Sequence, residues 1–128
     1  MLAQGAEAVL TRKEDTVLKE RIAKAYRHPT LDAALRRART KREAKMLEKL
    51  LKLGFPVPKV LHEDDKTMTL TLAFIDGSKV RDVLASKPEL AKEIGRKVGM
   101  LHANNIIHGD LTTSNMILNS EVFFIDFG

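Results

Sequence analysis

Short apolar runs with the period of β-strands lie on either side of one long helical stretch in the first half of the chain. Thr16-Val17-Leu18-Lys19 combines β-branched and apolar residues and ends on a lysine. Residues 57–62 and 68–74 form two further runs around an Asp64-Asp65-Lys66 turn, and the second alternates cleanly between polar and apolar positions. The pattern predicts an antiparallel sheet.

The long stretch between these strands predicts a helix from Leu31 or Asp32 to Leu53. Pro29 discourages helix at His28, and Gly54 suits the position just past a helix end. The positions expected to share the inward face are Glu43, Leu47, Leu50 and Leu51. A carboxylate on such a face needs a cationic partner.

A short linker, Ile75-Asp76-Gly77, precedes a second half made of helices and a hairpin. Val80 to Leu84 suggests a short helix, and Ser86-Lys87-Pro88-Glu89 has the capping-box pattern that opens the next helix. A hairpin is predicted over residues 116–125, with its turn at Asn119-Ser120. The second helix is expected to carry one apolar stripe of Leu90, Ile94, Val98 and Leu101.

Composition excludes several classes of protein. The 128 residues are 44% hydrophobic and 30% charged, which is ordinary for a globular domain or part of one. The absence of cysteine excludes disulfides, thiolate metal sites and cysteine nucleophiles. No apolar run approaches the ~20 residues of a membrane-spanning helix, so we expect a soluble, intracellular chain. The net charge of +5 permits a polyanionic partner without requiring one.

The C-terminal stretch carries the most specific chemistry. It reads His-x-Asp-Leu-x-x-x-Asn from His108 to Asn115, and then Asp-Phe-Gly from Asp126 to Gly128. Phosphoryl transfer from ATP needs a carboxylate that orients the attacking hydroxyl or water, and an amide oxygen and a second carboxylate that hold the metal. Asp110 fits the first role, and Asn115 and Asp126 fit the second. The motif therefore predicts a kinase-type site for ATP and Mg²⁺.

Lys19 and Glu43 are predicted to form the ion pair that accompanies such a site. In kinases a strand lysine grips the α- and β-phosphates and is positioned by a glutamate on the inward face of a helix. Pairing of Glu43 with the neighbouring Arg39 or Lys45 is the alternative. The C-terminal motifs favour Lys19 as the partner.

Two further segments are expected to contact the nucleotide. Gln4-Gly5-Ala6-Glu7-Ala8 occupies the place of a kinase glycine-rich loop, but it has one glycine instead of three and by itself indicates an ordinary hairpin turn. Leu72 is expected at the back of an adenine pocket. The backbone of Ala73, Phe74 and Ile75 would then meet the edge of the base.

Two residues beside Asp110 bear on regulation. Gly109 stands where typical protein kinases have an arginine that can hold a phosphorylated activation loop, so such phosphorylation is not expected to be the switch. His108 is expected to pack and hydrogen-bond so as to brace the loop, and not to act as a base.

Five cations lie within seven residues of the predicted long helix: Arg36, Arg37, Arg39, Lys41 and Arg42. They are interpreted equally well as a solvated helix face or as a patch for nucleic acid or an acidic partner. The predominance of arginine slightly favours phosphate recognition.

Several strings along the whole chain resemble the PRPK family, the small atypical kinase subunit of the KEOPS (EKC) complex. The most specific are Tyr26-Arg-His-Pro29 and Ile107-His-Gly-Asp-Leu-Thr-Thr-Ser-Asn115. Other matching strings are Gln4-Gly-Ala-Glu-Ala8, Arg39-Thr-x-x-Glu-Ala44 and Ile125-Asp-Phe-Gly128.

The patterns and the resemblance together imply an α+β, bilobal protein-kinase-like fold. Residues 1–74 would form an N-lobe with an antiparallel sheet and an αC-type helix, residues 75–77 the hinge, and residues 78–128 the start of the C-lobe with the catalytic loop and Asp-Phe-Gly. Family members continue past Asp-Phe-Gly into a short C-lobe and a basic tail. A minimal, apparently truncated C-lobe is therefore expected.

The resemblance also implies an activity and partners. It implies an ATPase that supports threonylcarbamoyl-adenosine modification of tRNA, with serine/threonine kinase activity as well. The expected location is the cytoplasm, with the nucleus as an alternative in a eukaryote. The implied partners are the threonylcarbamoyl-transferase subunit of KEOPS, a small subunit that binds the N-lobe, and tRNA, with no membrane. It assigns Lys19 and Glu43 to phosphate positioning, Asp110 to the base role, and Asn115 and Asp126 to Mg²⁺.

Three alternatives are weighed against this family. A RIO-type kinase shares the minimal lobes but does not predict Tyr26-Arg-His-Pro29 or Thr112-Thr113-Ser114. An aminoglycoside-phosphotransferase-like kinase also uses His-Gly-Asp but typically ends in Ile-Asp-Trp. A nucleotide-sensing scaffold with little turnover would not need all five of Lys19, Glu43, Asp110, Asn115 and Asp126.

Overall fold

The computed structural model describes residues 3–4 and 8–127. It divides into two compact units, Met1–Phe74 and Ile75–Gly128. Each unit contains its own antiparallel sheet. The described residues contain no helix long and apolar enough to cross a bilayer.

The first unit is built on a five-stranded sheet of order β1-β2-β3-β5-β4 in which all neighbours are antiparallel. Its strands are β1 (Ala3–Gln4), β2 (Ala8–Lys13), β3 (Thr16–Arg21), β4 (Val60–Asp64) and β5 (Thr69–Ala73). The strand predicted over residues 57–62 begins three residues later, at Val60. Pro58 cannot donate a ladder hydrogen bond, which accounts for the irregular start.

Helix α1 spans Pro29–Lys52 and begins two or three residues before the start predicted at Leu31 or Asp32. Pro29 occupies its first turn, where a missing N–H costs nothing, and His28 Nδ1 accepts a hydrogen bond from the N–H of Thr30 at 3.2 Å. The helix ends as predicted at Gly54, whose φ of +78° is left-handed. Gly54 N–H donates to Leu51 O and Phe55 N–H to Leu50 O, both at 3.0 Å, which completes a Schellman motif.

The buried face of α1 packs on β4 and β5. Its buried residues are Asp32, Thr40, Glu43, Ala44, Leu47 and Leu50. The prediction for Leu51 was wrong, because this side chain is 42% exposed. Its place on the helix lies outside the arc set by Glu43, Leu47 and Leu50.

The second unit carries two helices and a three-stranded sheet of order β6-β7-β8. Its elements are β6 (Ser78–Lys79), α2 (Val80–Val83), α3 (Leu90–Ala103), a 3₁₀ turn (Thr113–Asn115), β7 (Met116–Leu118) and β8 (Val122–Phe124). The predicted capping box is wrong: α3 begins at Leu90, and Ser86 Oγ donates to Val83 O at 3.0 Å, in the turn that follows α2.

Strand β6 was not predicted, and Gly77 makes it possible. Gly77 has φ +146°, and a Cβ built there would lie 2.1 Å from the carbonyl oxygen of Leu118 on β7. Asn119 Nδ2 donates to Asp76 O at 2.7 Å beside this approach. The linker is therefore fastened directly onto the hairpin.

Candidate functional site

A buried cluster of opposite charges lies between β3 and α1 in the first unit. Lys19 Nζ is 2.8 Å from Glu43 Oε2, and Arg21 Nη2 is 3.0 Å from Glu43 Oε1. All three side chains are less than 10% exposed. The predicted Lys19–Glu43 ion pair is present, and its role toward phosphates stays a prediction.

The strand period explains why both cations reach one carboxylate. Positions i and i+2 of a strand share a face, so Lys19 and Arg21 of β3 both point towards α1. The role of Arg21 was not predicted. The signal available was its two-residue spacing from the predicted lysine.

The connection between β3 and α1 is anchored on the buried Asp32. Lys24 N–H donates to Asp32 Oδ1 at 3.0 Å, Arg27 Nη2 lies 2.7 Å from the same oxygen, and Arg36 Nε is 2.7 Å from Oδ2. The Lys24 backbone hydrogen bond, helped by Arg36 and Arg27 and opposed by desolvation, holds the pKa of Asp32 below its ordinary value. Within Tyr26-Arg-His-Pro29, Arg27 therefore has a structural task, whereas Tyr26 is 84% exposed.

Part of the segment expected to meet the adenine base is buried or already hydrogen-bonded within the chain. Leu72 is buried on β5. The N–H of Ala73 donates to Lys59 O at 2.9 Å, and that of Phe74 donates to Asp15 O at 2.8 Å. Two N–H groups of the backbone predicted to meet the base are thus already bonded, whereas within the described part of the chain the N–H of Ile75 has no partner and could donate to a base.

The N-terminal loop is described only in part. Gln4 lies in β1 opposite Val9, and Ala8 opens β2 opposite Arg21. Gly5, Ala6 and Glu7 lie outside the described residues. The predicted nucleotide contacts of residues 4–8 stay predictions.

In the second unit His108 is the buried brace of the loop that carries Asp110. The backbone N–H of Asp110 donates to His108 Nδ1 at 3.2 Å, and Nε2 lies 2.7 Å from Ile125 O. The first contact uses the lone pair of Nδ1 and the second needs a proton on Nε2, so the neutral Nε2–H tautomer satisfies both. The ring also packs on Phe127, with 4.4 Å between centroids. This arrangement is the brace that the sequence predicted.

Gly109 has a backbone role as well. Its φ is +98°, a conformation that disfavours any side chain. Gly109 thus permits the turn that presents Asp110. The sequence prediction had considered only the absence of an arginine at this position.

Asp110 and Asn115 are joined by a side-chain contact. Asn115 Nδ2 donates to the backbone oxygen of Asp110 at 2.9 Å and to its Oδ2 at 3.2 Å. The carboxylate of Asp110 is exposed, and its Oδ1 remains to accept a proton. Because the amide nitrogen of Asn115 faces Asp110, its Oδ1 is the atom available to a cation.

The hairpin brings Asp126 beside this pair. Met116 of β7 stands opposite Phe124 of β8, and the N–H of Ile125 donates to Asn115 O at 3.0 Å. Asp126 follows with a φ of +59° and an exposed side chain, while Phe127 is buried. Gly128 lies outside the described residues.

These residues fit a magnesium ion. The described residues contain no group of three or more His, Cys, Asp and Glu that could hold a metal. Mg²⁺ in phosphotransfer sites needs fewer protein ligands, because substrate phosphates and water complete its octahedron. The Asn115 amide oxygen and the Asp126 carboxylate would hold the ion from the two ends of one hairpin.

A buried lysine inside α3, which was not predicted, holds this hairpin. Lys97 is 3% exposed on the stripe predicted to be apolar, and its Nζ donates to Glu93 Oε2 at 2.6 Å, to Glu121 Oε1 at 2.9 Å and to Val122 O at 2.9 Å. Glu93 Oε2 also accepts the Val122 N–H. Burial raises the pKa of Glu93, but the bonds from Lys97 and Val122 outweigh it, so the pKa lies below its usual value.

Comparison with known proteins defines the class. The sequence model of the RIO domain matches residues 8–128, and the chain therefore belongs to the RIO domain family. The string Tyr26-Arg-His-Pro29 was expected to count against a RIO-type kinase. Since the chain belongs to the RIO domain family, this string does not exclude that alternative.

Relatives of known name support the resemblance to the KEOPS kinase subunit. The chain is 40% identical to KEOPS complex subunit Bud32 of Pyrococcus abyssi, with all of this chain aligned to 66% of that protein. It is 38% identical to a probable bifunctional tRNA threonylcarbamoyladenosine biosynthesis protein of Methanocaldococcus jannaschii, again over the whole chain but over 25% of that protein. The chain thus spans less than two thirds of either relative.

The fold matches a kinase of known structure. The Rio2 kinase of Chaetomium thermophilum, solved as an ADP/Mg²⁺-phosphoaspartate complex, superposes with a TM-score of 0.77. The match covers 98% of this chain and 45% of that one at 20% identity, so it supports the fold alone. The α+β kinase-like fold predicted from the sequence is confirmed.

Proposed function

We propose that this chain is the ATP-using core of a KEOPS-type kinase subunit, an ATPase and serine/threonine phosphotransferase that supports threonylcarbamoyl-adenosine modification of tRNA. The observation that carries the proposal is the hydrogen-bonded arrangement of Asp110, Asn115 and the hairpin end at Asp126. The names of the two relatives support the proposed assembly and the proposed tRNA substrate.

The chemistry follows from the groups that each unit presents. In the first unit Lys19, held by Glu43, would bind phosphate oxygens, because a fixed ammonium needs no reorganisation as negative charge shifts during transfer. In the second unit Asp110 Oδ1 would accept the proton of the attacking hydroxyl or water. His108 would hold Asp110 in place through its hydrogen bond from the Asp110 N–H. Mg²⁺, when bound, would neutralise phosphate charge.

The proposed partners are the transferase subunit of KEOPS, a small subunit that binds the N-lobe, and tRNA. The proposed location is the cytoplasm, with the nucleus as an alternative in a eukaryote. The proposed partners follow from the family resemblance and from the assembly named for the Pyrococcus relative.

The test is Asp126→Ala in the full-length protein. Loss of one carboxylate ligand should abolish Mg²⁺-dependent ATP hydrolysis, while the circular dichroism spectrum and melting temperature remain near those of the wild type, since Asp126 is exposed. Asp82→Ala removes an exposed carboxylate of the same unit and serves as the matched control. Wild-type turnover by Asp126→Ala would remove the proposed metal site.

A nucleotide-sensing scaffold is the competing function. It predicts ATP binding with little hydrolysis, even with the partner and tRNA present. Turnover that depends on Asp126 and Asp110 decides against it.

A further inference from the structure

We propose that the exposed side of α1 is an RNA-binding surface, the α1 basic face, formed by Arg37, Lys41, Arg42, Lys45, Lys49 and Lys52. That the RNA is tRNA rests on the proposed function. The electrostatic argument for the surface does not.

The α1 basic face concentrates the charge of the whole chain. All six cations are exposed, and Glu48 is the single exposed acid among them on α1. The chain has 22 Lys and Arg and 17 Asp and Glu, and setting aside these six cations and Glu48 leaves 16 of each sign. The net charge of +5 can therefore be assigned to one side of one helix.

The geometry makes this side continuous. At 3.6 residues per turn the six cations fall within an arc of about 140°, and they extend over about 22 Å of helix. The buried face with Glu43, Leu47 and Leu50 occupies the opposite side. A phosphate backbone could follow the row of charges without meeting the apolar face.

The α1 basic face differs in membership from the cluster of five cations identified in the sequence. Arg36 is paired with Asp32, and Arg39 is only partly exposed, so neither belongs to the α1 basic face. Arg37 and Lys41 lie at its acidic edge: Arg37 Nε donates to Asp65 O at 3.3 Å, and Lys41 Nζ is 3.4 Å from the Asp65 carboxylate. Among the described residues no carboxylate pairs with Arg42, Lys45, Lys49 or Lys52.

The spacing argues against an ordinary solvated helix face. Such a face gains stability from opposite charges at i and i+4. Here Arg37, Lys41, Lys45 and Lys49 repeat like charges at that spacing three times in succession. Repulsion between these like charges destabilises the isolated helix. A bound polyanion would relieve that repulsion, which explains why the arrangement is present.

A membrane is the less suitable polyanion. Helices that lie on membranes insert an apolar face, but Leu47 and Leu50 of α1 are buried against the sheet. The exposed leucines of this region, Leu31, Leu51 and Leu53, lie only at the two ends of the helix. A phosphate backbone, which needs cations and no apolar anchor, fits the surface better.

The experiment measures binding of the full-length protein to a fluorescently labelled tRNA transcript by anisotropy, between 50 and 200 mM KCl. The test variant is Lys45→Gln/Lys49→Gln/Lys52→Gln. The matched control, Lys59→Gln/Lys87→Gln/Lys92→Gln, removes the same charge from exposed positions elsewhere. Each lost phosphate contact lowers the slope of log K against log salt by roughly 0.7 to 0.9, so the test variant should have a slope shallower by about 2 to 3. The control should keep the wild-type slope.

Several outcomes would overturn the proposal. Equal slopes for the two variants would do so, as would the absence of tRNA binding by the wild type at 50 mM salt. A test variant that loses binding to polyglutamate or to phosphatidylserine vesicles but keeps its tRNA affinity would instead assign the face to an acidic protein or a membrane. ATP hydrolysis by the wild type with the KEOPS transferase subunit and tRNA present is measured in parallel: its absence there would contradict the proposed function and leave the RNA-binding result standing.

Discussion

At the scale of single residues, Glu43 receives a different cation at each carboxylate oxygen. Lys19 holds Oε2 and Arg21 holds Oε1. A buried carboxylate held from both sides has little freedom to turn away from Lys19. We therefore regard Arg21 as a positioning residue for the phosphate-binding lysine.

Arg21→Gln tests that role. Loss of a hydrogen bond between buried charged groups costs about 1.5 to 3 kcal/mol. If about 1.4 kcal/mol of this is felt in the transition state, kcat/KM for ATP falls about tenfold. Steady-state ATP kinetics check it, with the exposed Arg81→Gln as control. Wild-type kinetics in Arg21→Gln, even with a lowered melting temperature, would limit Arg21 to a structural role.

Residue-level interpretation succeeded where a motif fixes both residue type and spacing. Lys19 with Glu43, and the bracing contacts of His108, were predictable because each belongs to such a pattern. Arg21 and Lys97 were not, because a cation on a strand or helix gives no sign of burial until its tertiary partners are known. At position 109 the prediction concerned only the missing arginine side chain. The φ of +98° gives the physical reason why glycine stands there.

At the scale of elements, local signals placed most of the helices and strands and failed where a long-range contact decides. The predicted ends of α1 lie within three residues of the observed ends, at Pro29 and Lys52. The capping box at Ser86 failed because its hydroxyl binds Val83 O instead, and β6 escaped notice because a two-residue strand exists only through its pairing with β7. The hairpin that carries the proposed metal ligands was predicted, but the clamp of Lys97 and Glu93 behind it was not.

Glu93→Gln tests this clamp through its pH dependence. The pKa of Glu93 is lowered in the folded chain, so its charge stabilises the fold above the ordinary value of 4.5, and that contribution is lost as pH falls through the lower folded pKa. At pH 7 the variant should lose about 1.5 to 3 kcal/mol, the range for hydrogen bonds to charged groups. Its deficit should shrink towards pH 3. Urea unfolding at both pH values measures it, with the exposed Glu20→Gln as control. A deficit independent of pH would show that the Glu93 charge is not the stabilising element.

At the scale of the whole molecule, each of the two units holds part of the proposed machinery and neither holds all of it. Lys19 and Glu43 belong to the first unit, and Asp110, Asn115 and Asp126 to the second. Composition and motif order were sufficient to predict the fold, because the kinase pattern runs through both units. They were not sufficient to say whether the chain works alone, since that depends on the free energy of the active arrangement rather than on which residues are present.

We predict that turnover depends on assembly. Only Gly5 of a glycine-rich loop is present, and Gly109 offers no side chain to a phosphorylated activation loop, so the chain has few internal means of favouring its active arrangement. A partner that binds the active arrangement ~10 to 100 times more tightly would supply ~1.4 to 2.8 kcal/mol towards it. ATP turnover by the full-length protein should therefore be weak alone, faster with the KEOPS transferase subunit and fastest with tRNA as well. The three rates must be compared at one salt concentration, because RNA binding weakens steeply as salt rises. Equal rates in all three, with rapid phosphorylation of a generic protein substrate, would instead identify a free-standing kinase whose active arrangement needs no partner.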